Sequence, residues 1–141
     1  MANATMEKFG YPGTLVRDFE HWVVLLRPAQ VTLGSLVLAA KDDATAFGAL
    51  PPAAYAELAT IIAHVERILS ETLRYDRINY LMLMMVDPHV HFHIFPRYEG
   101  ERSFESVTIE DSGWPGPPDF KSGQGIDPSV FERLRLQLSE K

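Results

Sequence analysis

The alternating run His89-Val90-His91-Phe92-His93 constrains this chain more than any other stretch of its sequence. Successive side chains on a β-strand point to opposite faces, so the three imidazoles project to one side while Val90, Phe92 and Ile94 project to the other. One face is then chemical and the other is core. Three imidazoles crowded within about two strand pitches repel one another when protonated, so near neutral pH they hold unlike protonation states side by side. That condition suits acid–base and nucleophilic chemistry. His64, on the polar face of a predicted helix, and His21 read instead as ordinary surface or satisfied residues.

The rest of the chain supplies a frame for that strand. His21 to Ala40 holds two Val- and Leu-rich runs separated by Pro28 and Gly34, the pattern of a hairpin, and Thr14 to Arg17 adds a short edge strand after Tyr11-Pro12-Gly13. From Pro51 the period changes. Leu58, Ile61, Ile62, Val65 and Leu69 fall on one helical face opposite Glu57, Thr60, His64, Arg67 and Glu71, which predicts an amphipathic helix starting at the Pro51-Pro52 pair and ending near Arg74. Ile78 to Val86 is a nearly continuous apolar run broken by Asp87-Pro88, so two further strands follow, Ile78 to Val86 and His89 to Pro96. These elements predict an α+β fold: an antiparallel meander of about five strands, one long helix packed on it, and a short C-terminal helix begun by Asp127-Pro128 with Phe131, Leu134 and Leu138 on one face. The segment 100–127, rich in Gly, Pro and Ser, reads as a long functional or dimer-covering loop of a single domain spanning residues 1–141.

Composition narrows the chemistry. There are no cysteines, which excludes a disulfide framework, a thiolate zinc site and a thiol nucleophile, and favours the cytoplasm. Thirteen Lys and Arg against nineteen Asp and Glu give a net charge of −6, which argues against broad binding to nucleic acid or anionic membrane. A phosphate substrate must therefore be held by a local pocket. No apolar stretch approaches a membrane span, and neither GxxxxGK[ST] nor GxGxxG occurs.

The segment HVHFHIFPRY resembles the signature of the histidine-triad (HIT) family, His-x-His-x-His followed by two apolar residues, with Pro96-Arg97 also matching many members. The order of elements is similar to the family's from about Phe19 to Tyr98. The resemblance implies a HIT-like fold, usually a homodimer, that cleaves nucleoside phosphoramidates, dinucleoside polyphosphates or related nucleotide esters with no cofactor or metal. It implies that His91 is the nucleophile that takes the nucleotidyl group, that the main chain of His89 orients it, and that His93 contacts the scissile phosphate and helps protonate the departing group. The physical logic is independent of the family: a carbonyl accepting the Nδ1 proton of His91 would aim its Nε2 lone pair at phosphorus, giving a covalent phospho-histidine that water then hydrolyses. Arg97, on the strand parity of the triad, and Asn79, on the preceding strand, are candidate substrate contacts.

Three departures bear on the substrate. Gly34-Ser35 stands where many members have Gly-His, and Arg27 stands where many have an acidic or amide residue for ribose hydroxyls; both Ser35 and Arg27 are candidate substrate contacts, and a cation at 27 suits a phosphate or carboxylate. The residues before the triad, MMVDPHVHFH, replace a Gly-rich loop with Gln and Ser or Thr, so the substrate need not be a standard purine nucleotide. Two other readings compete: a zinc site built on two or three of the histidines with Asp87 or a loop residue completing it, and a nucleotide-binding protein with little turnover.

Overall fold

The computed structural model describes residues 2–141. Its main sheet has five antiparallel strands: β1 (Leu15–Asp18), β2 (Trp22–Leu26), β3 (Leu36–Ala40), β4 (Arg77–Leu81) and β5 (His91–Arg97). The expected hairpin is β2–β3, in register from Trp22↔Ala40 to Leu26↔Leu36, and β1 flanks it as the edge strand. The simple meander is corrected. The strand order is β1-β2-β3-β5-β4, because the long helix α2 (Pro52–Leu73) carries the chain across the sheet to the far edge and β5 returns into the gap. The histidine strand is thereby paired on both sides, Ala39↔His91 and Val37↔His93 on one and Leu81↔His93 and Asn79↔Phe95 on the other.

The pleat sorts side chains between two layers. Val24, Leu26, Leu36, Leu38, Val90 and Ile94 pack against Ile61, Val65, Ile68, Leu69 and Leu73 of α2, forming the larger core. The helix obeys its periodicity except at Leu58 and Ile62, which are half-buried while Ile68 is fully buried. It stops at Arg74, whose left-handed φ of 52° lets its N–H reach the Ser70 carbonyl. Gly34 sits at φ +88°, and a Cβ there would lie 2.5 Å from Leu73 Cδ1, so the approach to β3 requires glycine.

On the opposite face, Val23, Leu25, Val37 and Ala39 form a smaller cluster with Met6 and Phe9. Met6 lies in, and Phe9 caps, a short N-terminal helix, α1 (Ala4–Lys8), which the sequence analysis did not identify. Asn3 caps it by accepting from the Met6 N–H at 3.0 Å and ties it to the sheet by donating to the Ala40 carbonyl at 3.0 Å.

Two expectations beyond the triad are corrected. The apolar run from Ile78 to Val86 is a strand only to Leu81; residues 82–90 leave the sheet. The supposed loop 100–127 begins with a second, two-stranded sheet, β6 (Glu101–Phe104) and β7 (Val107–Glu110), and only its remainder is irregular, apart from a single 3-10 turn at Phe120–Ser122. The terminal helix α3 (Pro128–Ser139) is N-capped by Asp127 as expected, but buries Val130 with Leu134 and Leu138 while Phe131 is only half-buried. No helix of the described residues is long and apolar enough to cross a membrane.

Candidate active site

The face of the sheet that carries His91 and His93 opens into a pocket of about 220 Å³. Its walls come from four places: Lys8 and Phe9 at the end of α1, Arg27 after β2, Leu83 to Asp87 after β4, and Phe120 from the 3-10 turn. Phe9 lies 5.9 Å from both imidazoles between ring centroids, and Phe120 meets His93 edge-on at 5.4 Å. Strand alternation places the two histidines here, and the aromatic side chains restrict their access to solvent.

The histidines have unequal roles. Strand β5 begins at His91, so His89 precedes it, half-buried and outside the pocket lining. Its ring Nδ1 donates to the Asp43 carbonyl at 2.9 Å and its main-chain N–H donates to Thr5 Oγ1 at 3.3 Å. With residue 89 held in this way, its carbonyl lies 2.7 Å from Nδ1 of His91. A carbonyl can only accept, so Nδ1 of His91 carries a proton, and in the neutral imidazole Nε2 is the nitrogen that carries the lone pair. His91 is 2 % exposed, and this bond fixes its ring tautomer.

His93 is 6 % exposed, and its Nδ1 is buried without a partner among the described residues. Burial first, then repulsion from His91 whenever that ring is protonated and from the guanidinium of Arg27, push its pKa down to about 4, with Asp87 opposing. In the free protein His93 is therefore neutral at pH 7. This yields a stability prediction. The folded-state value lies below the ordinary 6.5, so the contribution is full above pH 6.5 and is lost as pH falls through 4. Denaturant midpoints between pH 7 and pH 4 should show a fall on the order of 2 kcal/mol attributable to this group, less than the full shift would give because water enters the pocket mouth. His93→Gln should lack that increment; an unchanged pH profile in the variant would mean that His93 does not titrate this way.

Arg27 is the only one of the four expected substrate contacts that lines the pocket. Its Nη1 donates to the Ala29 carbonyl, and its buried Nε has no partner among the described residues. Lys8 and Asp87 close one side as an ion pair at 2.7 Å.

The other three do not line this pocket. Ser35 is fully buried, donating from its hydroxyl to the Thr32 carbonyl at 2.6 Å and accepting from the Thr32 N–H at 3.0 Å, so it shapes the turn into β3. Arg97 has the parity of the triad but lies at the far end of β5, where Asp111 takes its Nε at 2.7 Å and its Nη2 at 2.9 Å. Asn79 accepts from the remaining nitrogen of that guanidinium at 2.7 Å. Those two residues border a separate groove of about 540 Å³ with Arg77 and Trp114 to Pro117; it is larger than the triad pocket but holds no imidazole. His21 and His64 also stand outside the triad pocket.

Sequence reading missed Lys8, Phe9 and Phe120. Asn3 as an N-cap three residues before Met6 was the available sign of α1, whereas nothing local marks Phe120 as a pocket wall. Asp87, weighed from the sequence as a third zinc ligand, is paired with Lys8. Among the described residues, no three His, Asp or Glu side chains are grouped as ligands of one metal ion would be.

Comparison with known proteins agrees with this architecture. A family model described as the HIT domain matches residues 10–100. A histidine-triad protein from Sinorhizobium meliloti superposes with a TM-score of 0.78 at 19 % identity, over 99 % of this chain and 95 % of that one. A second from Bradyrhizobium japonicum gives 0.76 at 22 % identity, over 100 % and 96 %. A protein from Sulfolobus tokodaii described as a hypothetical histidine triad nucleotide-binding protein gives 0.74 at 19 % identity, over 96 % and 87 %. No curated protein sequence shows a significant match.

Proposed function

Because the chain belongs to the HIT-domain family, whose members are generally nucleotide-binding hydrolases or transferases, we propose that it cleaves a nucleoside phosphoramidate, dinucleoside polyphosphate or related nucleotide ester through a covalent nucleotidyl-histidine at His91. The observation that carries this reading is the 2.7 Å bond from His91 Nδ1 to the His89 carbonyl, which leaves the Nε2 lone pair free in a pocket that also holds a guanidinium. The nucleotide-binding description of the Sulfolobus tokodaii neighbour supports the substrate class.

In the first step Nε2 of His91 attacks phosphorus, the bond to the leaving atom breaks, and its electron pair departs with that nitrogen or oxygen, which takes up a proton. Arg27 stabilises the nonbridging oxygens. An arriving phosphate brings negative charge to His93, raises its proton affinity and equips it to deliver that proton. Water then attacks phosphorus, Nε2 is released, and a proton of that water leaves through His93, so the turnover consumes one water. We further infer a homodimer working in the cytoplasm, as the family resemblance implies.

The test is metal-stripped protein incubated with adenosine and guanosine phosphoramidates, dinucleoside polyphosphates and nucleotide sugars, with mononucleotide release followed over time. Release without added metal is the expected result. Silence across the panel together with tight mononucleotide binding would replace the hydrolase with a binding protein, and activity that returns only with zinc would overturn the metal-free step.

A further inference from the structure

The segment 82–89 delivers His91 to its strand, yet among the described residues it makes no hydrogen bond between main-chain groups. Apart from the bond to His91 Nδ1, three polar contacts tie it to the fold: the Lys8–Asp87 ion pair at 2.7 Å, the His89 N–H to Thr5 Oγ1 at 3.3 Å, and the His89 ring to the Asp43 carbonyl at 2.9 Å. Two of these come from α1, which lies before the residues 10–100 that the HIT-domain model matches. The helix is fixed in turn to the strand beside the triad. Asn3 donates to the Ala40 carbonyl at 3.0 Å, and the Ala40 N–H donates to the Val90 carbonyl at 3.0 Å. Residue 89 is thus clamped on both sides, by Thr5 at its N–H and by Ala40 at the carbonyl of the next residue. Thr5 is 1 % exposed, and an oxygen shut away from water costs free energy unless it is bonded; the His89 N–H is its partner among the described residues.

Resting on the reading of His91 as nucleophile, we propose that Thr5 is a positioning residue: its hydroxyl holds the His89 N–H so that the residue-89 carbonyl stays on Nδ1 of His91 and leaves Nε2 bare toward the pocket. Thr5 does not line that pocket, so it acts through two hydrogen bonds and touches no substrate. Without the hydroxyl, residue 89 keeps its ring bond to Asp43, but its main chain is free to turn and carry the carbonyl away from Nδ1. The His91 proton can then move to Nε2, which takes the lone pair out of the attack. Helix packing does not need this hydroxyl. Met6 and Phe9 hold α1 on the sheet through apolar contact, and Asn3 caps it. A displacement on the order of 1 Å in a reacting group is enough to slow a reaction by up to about 100-fold.

The experiment reads the His91 ring and the reaction separately. Thr5→Val keeps the branched shape and removes the acceptor, with Thr5→Ala as a second form should the first fold poorly, and Thr5→Ser restores a hydroxyl. Long-range ¹⁵N–¹H NMR in alkaline buffer should show His91 as the single Nδ1–H tautomer in the unmodified protein and in Thr5→Ser, and as a mixture of tautomers in Thr5→Val. With adenosine 5′-phosphoramidate as the probe, Thr5→Val should lower kcat about 10-fold with KM within about 2-fold, and Thr5→Ser should recover most of the loss. A single Nδ1–H tautomer in folded Thr5→Val, a serine variant that behaves as the valine one does, or a mixture of tautomers with kcat unchanged each overturns the positioning role. A fall in kcat without a change of tautomer does the same, since Thr5 would then act through packing alone. The reading of His91 as nucleophile fails in a different way: an unmodified protein that turns nothing over, while its His91 tautomer still answers to Thr5, keeps the clamp and loses the reaction.

Discussion

His91→Ala is expected to lower mononucleotide release by at least about 10⁴-fold and to abolish any covalent nucleotidyl adduct in a rapid-quench mass measurement, because no other group in the pocket combines a lone pair with a fixed tautomer. The loss should fall on kcat, with nucleotide affinity largely kept, since Arg27 and the apolar walls remain. Thermal stability should fall by only about 1–2 kcal/mol, because the ring borders an open pocket and not the core under α2, so the space it leaves can fill with water. A second readout comes from His93. Repulsion between the two rings when His91 is protonated is the largest cause after burial of the depressed His93 value, so the variant should titrate His93 at higher pH by NMR. Full activity in the folded variant would remove His91 from the mechanism; an unmoved His93 titration would mean that the two rings do not interact as their 5.0 Å centroid separation implies.

Where the sequence was legible, one physical signal dominated each element. Helix α2 could be read because its apolar residues repeat at helical spacing for 22 residues, and β2 and β3 because Val and Leu runs are punctuated by Pro28 and Gly34. Alternation put His91 and His93 on the face away from Val90 and Ile94, where the structure has them. Reading failed where two arrangements share one pattern. An apolar run such as Met82 to Val86 looks the same whether it continues a buried strand or stands exposed at a pocket rim, and only the exposure of Met85 and Val86 distinguishes them. The β6–β7 hairpin was hidden because its turn is made by Glu105 at φ 52° and Ser106, without the Gly or Asn that usually announces such a turn. Parity correctly set Arg97 on the triad face, but parity carries no information about which residue from a later segment will occupy it.

That unanticipated partner gives the largest stability effect expected of a single change. Arg97 and Asp111 are 3 % and 5 % exposed, and the carboxylate accepts from two guanidinium nitrogens and from the Tyr98 N–H at 3.1 Å. The pair joins the end of β5 to the residue just after β7, and so holds the small hairpin on the main sheet. Asp111→Ala leaves a buried cation whose only remaining side-chain acceptor is Asn79, together with an unsatisfied main-chain donor, and should cost about 3–5 kcal/mol in denaturant unfolding. Replacing both charges, as in Arg97→Met/Asp111→Leu, should cost less than Asp111→Ala alone, because no unpaired charge then remains and only the Asn79 and Tyr98 groups lose partners. The comparison also decides what Arg97 does. A guanidinium that served the phosphate would make Asp111→Ala a mutation of substrate affinity with little effect on unfolding, whereas the bonds here make it a mutation of stability that leaves the 220 Å³ pocket and its histidines in place.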